Sequence, residues 1–215
     1  VSAAFAVSLY QAHMAQRVAV GARTSTQPVE KARPEGGKDE ISPSAKSVPE
    51  LDSSGISAEN EKQRKDHEAI SKADADFNSA YSALERRAYG DAFNGFRSLA
   101  LQGDSRGQVN LGSMYYNGNG VAKSYAEAVK WYRLAAAQGN STAQSNLGAM
   151  YALGQGVKQN ILLAHMWLNL SAAAGNLDAA EVRDTATEKV MTPQQIALAQ
   201  QMARDCQQRN FKGCD

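Results

Sequence analysis

Residues 104–139 and 140–175 repeat one another at a period of 36. Leu111-Gly112 recurs as Leu147-Gly148, Met114-Tyr115 as Met150-Tyr151, and Gly118-x-Gly120-Val121 as Gly154-x-Gly156-Val157. Ala128 returns as Ala164, Trp131 as Trp167, Ala136-Ala137 as Ala172-Ala173, and Gly139 as Gly175, so that 16 of 36 positions are identical. A unit this short cannot bury its own apolar face. It must be covered by its neighbours, as in an array of stacked units.

Apolar residues inside the unit follow the helical period. Leu147, Met150 and Tyr151 fall on one face, and Ala164, Trp167, Leu168 and Ser171 continue the pattern after the glycines. Each unit is therefore expected to be a helical hairpin. Gly-x-Gly-Val supplies residues able to take positive φ at the end of the first helix, Gly139 and Gly175 end the second, and Asn140 and Asn176 follow as N-caps. Gly112 and Gly148 lie inside the first helix, where glycine costs about 1 kcal/mol relative to alanine. Close approach of a neighbouring helix is the compensation we expect.

These residues resemble the Sel1-like repeat of the tetratricopeptide-like α-solenoid family, with its A-x-x-x-L-G-x-x-Y-x-x-G-x-G-V followed by A-x-x-W-Y-x-x-A-A-x-x-G. Leu168 stands where the first unit has Tyr132, a mild departure. The resemblance covers about residues 77–208. It implies an all-α, right-handed α-solenoid of antiparallel hairpins in which Leu111, Gly112, Tyr115, Trp131, Leu147, Gly148, Tyr151 and Trp167 form the structural repeat core. It further implies a concave groove lined by first helices, where Val109, Ser113, Ser145 and Ala149 point inward and Tyr116 and Asn117 follow at the lower edge. The resemblance implies an adaptor for a protein or peptide in bacterial envelope, signalling or assembly processes. The competing expectation is an envelope enzyme or binder acting on cell-wall material. Cysteine-rich relatives have been linked to β-lactams, but their Cys pair within each repeat is absent here.

Composition locates the rest. Thirteen of fifteen aromatics fall from Phe77 onward, whereas residues 21–60 hold four of the five prolines, seven serines and only nine apolar residues. Such a stretch cannot offset its chain entropy by burial, so 21–60 is expected to be a disordered linker. Residues 1–20 carry no Asp, Glu or Lys and no Arg before Arg17, and Val20-Gly21-Ala22 suits signal peptidase, so a remnant of a signal peptide or membrane anchor is expected there. Residues 61–103 read as leading helices of a degenerate repeat, because Tyr89, Ala92 and Phe96 precede Tyr125, Ala128 and Tyr132 by 36. Order is expected to begin with the amphipathic run Ile70, Ala73, Phe77, Ala80, Tyr81, Leu84. Residues 176–215 read as capping helices, Asp178–Val190 a first helix and Thr192-Pro193 the start of the last.

Little here suggests chemistry. Net charge is +1, from 23 Lys and Arg against 22 Asp and Glu, with no basic excess to neutralise phosphates, so no nucleic-acid partner is expected. The glycine pairs lack the preceding strand and the lysine of a phosphate loop. Three scattered histidines and two cysteines offer no metal site. His165 has no His or Cys beside it and reads as a partly buried or surface histidine. The carboxylates Asp104, Glu127, Asp178 and Glu181 fall at helix starts or exposed positions. We therefore expect no catalytic residues, no metal and no cofactor. Cys206 and Cys214, eight apart around Asn210 and Gly213, are expected to pair, which places the repeat domain in the periplasm or outside the cell, with possible attachment through the N-terminus.

Overall fold

A computed structural model describes residues 53–214, and every regular element among them is helical. α1 runs Ser53–Glu85, α2 Tyr89–Leu101, α3 Ser105–Asn117, α4 Tyr125–Ala136, α5 Ser141–Leu153 and α6 Ile161–Ala173. α7, Leu177–Val182, continues into a π-helical turn at Arg183–Thr187 and a 3-10 turn at Glu188–Val190, after which α8 spans Pro193–Gln208. The division between two units falls within α1, at Lys72. In the first, the exposed stretch 59–72 of α1 carries ion pairs of Arg64 with Glu61 and Glu68. α1 begins eight residues inside the expected linker and well before Ile70, because a polar helix laced with such pairs can form without an apolar face. The expectations for residues 1–20 and 21–52 lie outside the described residues.

From Ala73 onward the chain is a series of hairpins stacked in sequence order, α3 with α4 and α5 with α6, as the period requires. Side-chain caps recur at that period. Asp104, Asn140 and Asn176 cap α3, α5 and α7, Ser124 and Asn160 cap α4 and α6, and each satisfies backbone N–H groups that the helix leaves unpaired. Gly118 and Gly154 end α3 and α5 in the left-handed conformation, at φ 79° and 67°.

The glycines expected to permit close approach do so. A Cβ on Gly112 would lie 2.8 Å from the Tyr132 ring, and one on Gly148 2.8 Å from Leu168 and 3.1 Å from the Ala164 carbonyl. Adjacent units are joined by buried glutamines. Gln108 Nε2 donates to the Ala100 carbonyl at 3.3 Å, and Gln144 Nε2 to the Ala136 carbonyl at 3.4 Å, so each first helix ties down the C-terminus of the preceding one.

The last helix departs from the series. α8 packs on α6, where Met166 and Leu170 share a core with Ala203 and Cys206. Thirty-six residues earlier, α4 carries Lys130, ion-paired with Glu127 at the surface, and Leu134, which is half exposed. α6 replaces Glu127 and Lys130 by Leu163 and Met166, making apolar a face that the first unit leaves to water. Cys206 and Cys214 form the expected disulfide, Cα to Cα 5.4 Å. It closes a tail in which Asn210 and Phe211 both take positive φ and the Phe211 ring lies against Gly139.

Candidate functional site

Four of the six expected groove residues are covered. Val109, Ser113, Ser145 and Ala149 are between 5% and 9% exposed, because α3 and α5 are enclosed over 107–114 and 143–151. Ser113 turns inward: its hydroxyl donates to the Val109 carbonyl at 3.0 Å and lies 3.1 Å from the Tyr132 hydroxyl, which also hydrogen-bonds Asn146. Gly112 brings α4 close enough for that contact, and so removes Ser113 from the surface. Of the repeat-core residues, Leu111, Leu147, Tyr151 and Trp167 are buried. Tyr115 and Trp131 are only partly buried, since both pack along the boundary with the leading helices.

What remains accessible is the lower edge of the first unit. Tyr116 is half-buried and Asn117 exposed, at the last turn of α3 before Gly118 reverses the chain. The loop returns Lys123 and Tyr125 beside them. The Tyr116 and Tyr125 rings are 5.1 Å apart with planes tilted by 54°, and Lys123 Nζ lies 4.8 Å from the Tyr125 ring centre and 5.8 Å from that of Tyr116. Such a group combines rigid apolar area with hydroxyl and ammonium donors.

The second unit has no counterpart. Tyr116, Asn117, Lys123 and Tyr125 correspond to Ala152, Leu153, Gln159 and Ile161. Lys123 and Tyr125 were not among the residues expected at the edge. Their signal was available as a joint departure from the period, three aromatic or cationic residues present in one copy and missing from the other. The neighbouring hairpin holds the edge in place, since a Cβ on Gly156, at φ 70°, would meet the Tyr125 carbonyl oxygen at 2.4 Å.

His165 is fully buried, deeper than expected, with Nε2 3.3 Å from Glu188 Oε1. Asp104 accepts from the backbone N–H of Arg106 at 2.7 Å and of Gly107 at 3.2 Å. Burial pushes its carboxyl upward, but hydrogen bonds from the Arg106 side chain and these two amides outweigh burial and hold it below its ordinary value. Among the described residues no group of three or more His, Cys, Asp or Glu could hold a metal ion, and no helix is long and apolar enough to cross a membrane.

Comparison with known proteins agrees with the period. Residues 105–140 and 141–176 each match the Sel1 repeat. Among solved structures, the chain is similar to c5321, a protective antigen of uropathogenic Escherichia coli displaying an SLR fold, with 31% identity and a TM-score of 0.61 over 66% of this chain and 31% of that one. It is also similar to a Sel1 repeat protein from Oxalobacter formigenes, with 28% identity and a TM-score of 0.52 over 61% of this chain and 56% of that one. The chain thus spans less than two thirds of either. No curated protein matches it. Sel1 repeats generally mediate protein–protein interaction, and their fold is typically a non-catalytic scaffold. The chain carries two tandem Sel1 repeats, at 105–140 and 141–176, as part of an α-solenoid.

Proposed function

We propose that this chain is a non-catalytic adaptor of the bacterial envelope that binds a peptide or protein segment, anchored at the Tyr116, Asn117, Lys123, Tyr125 edge. The observation that carries this reading is the pairing of two partly exposed tyrosines under a lysine where the last turn of α3 emerges from its covering. Tyrosines held rigidly at the border of a packed surface concentrate binding energy, because little side-chain entropy is left to lose. Export is supported by the Cys206–Cys214 disulfide, since such bonds persist in oxidising compartments.

Affinity capture from envelope extract with the full chain tests the proposal. Tyr116→Ala or Lys123→Glu should reduce recovery of the captured protein at least about 10-fold while leaving melting within a few degrees, as truncation of an anchor costs about 2 kcal/mol or more. Leu134→Arg, on the exposed side of α4, should change nothing. Loss of capture with Leu134→Arg and full recovery with the edge variants would transfer the working surface to α4.

A further inference from the structure

α6 carries His165 where α4 carries Val129. The imidazole is buried, and its Nε2 is 3.3 Å from Glu188 Oε1. In the neutral ring we assign the proton to that nitrogen, which donates to the carboxylate, and Nδ1 is left buried without a hydrogen-bond partner. Glu188 belongs to the strap Leu177–Val190, whose middle is the π-helical turn, a geometry that is rare and frequent at functional sites. Arg183 on the strap lies 3.6 Å from the same Glu188 oxygen and donates to Asn169 of α6 at 3.0 Å. The apolar hold is small, consisting of Leu168 of α6 with Ala179 and Val182, flanked by Ala172. Two polar tethers therefore do much of the fastening.

We propose that His165 and the strap Leu177–Val190 form a proton-operated latch, closed when the imidazole is neutral and opened when it takes a second proton. The second proton adds an N–H at the buried Nδ1, which has no hydrogen-bond partner, and places a full charge on a buried ring. The Glu188 carboxylate attracts that charge, but it is one-third exposed and shared with the Arg183 guanidinium, which repels it. Asp184, paired with Arg183, is the remaining charged group acting on the ring, and α5 and α8, the other helices packed on α6, supply none. Burial accordingly holds the imidazole below its ordinary value despite Glu188. The sign follows. Fastening is complete above the ordinary histidine value of about 6.5 and weakens as pH falls below it, because the detached ring binds the proton more readily.

Amide hydrogen exchange of the full chain at pH 7.5 and pH 5.5, corrected for intrinsic rates, tests the latch. Peptides from 177–190 should exchange faster at pH 5.5, by up to about tenfold, the largest population change that one pH unit below the detached value allows. Peptides from 105–153 should not change. In His165→Val, which installs the residue of the first unit, the pH dependence at 177–190 should vanish. If that variant does not fold, proton resonances of the native chain decide: the His165 ring should titrate below about 6.5 with strap amides shifting along the same curve. Equal strap protection at both pH values, a loss that persists in His165→Val, or strap amides indifferent to the His165 titration would overturn the proposal.

Discussion

The Tyr132 hydroxyl explains why three positions of the repeat change together. In the first unit it sits between Ser113 and Asn146; one period later these residues are Leu168, Ala149 and Val182, of which Leu168 and Val182 join one apolar cluster. Either set is internally consistent, whereas a mixture leaves a buried polar group unpaired. Tyr132→Phe should therefore cost about 1–3 kcal/mol, and adding Ser113→Ala and Asn146→Val should recover part of that loss in chemical denaturation. Strict additivity of the three changes would mean that the junction carries no coupling. Asp104 offers a second check. As the N-cap of α3 with a lowered carboxyl value, it contributes stability that is present above the ordinary carboxylate range and lost as pH falls through its own value, and Asp104→Ala should cost about 1 kcal/mol at pH 7. The replacement of Tyr132 by Leu168 was legible as a departure from the period. Its meaning was not, because helical spacing does not say which side chain of the next unit faces it. The same gap turned Ser113 and Ser145 into expected groove residues.

At the scale of elements, the hairpins, their caps and their glycine junctions could be read directly from the 36-residue period, since each cap satisfies a local need. The return of α8 onto α6 could not, because contact between those helices is long-range in the chain. The trace of it was compositional: Leu163 and Met166 leave α6 apolar where α4 carries Glu127 and Lys130. Met166→Lys, the residue of the first unit at that position, should destabilise the protein by about 2–5 kcal/mol by burying an unpaired charge, and should raise hydrogen exchange first in 193–208. Continued protection of α8 would show that its seat lies elsewhere. The disulfide closes the same cap. Replacing Cys206 and Cys214 by serine should cost about 2.5 kcal/mol on the chain-entropy account of an eight-residue loop, read from denaturation midpoints without reductant. An unchanged midpoint would mean that the tail contributes nothing to holding α8.

For the whole molecule, repetition supplies a stack of hairpins and departures from repetition supply individuality. Positions identical in both units, such as Gly112 and Gly148 or Gln108 and Gln144, build the stack. Positions that differ carry the tyrosine edge, the buried histidine and the seat for α8. Function in a chain of this kind is therefore sought where the two copies disagree, and the edge of the first unit is the accessible instance. A photo-crosslinking amino acid placed at Asn117 in the full chain, and in a second variant at Leu134, provides the most direct test in living cells. The account predicts a discrete adduct from position 117 that disappears when Tyr125→Ala is added, and none from position 134. A discrete adduct from 134 with none from 117 would contradict it.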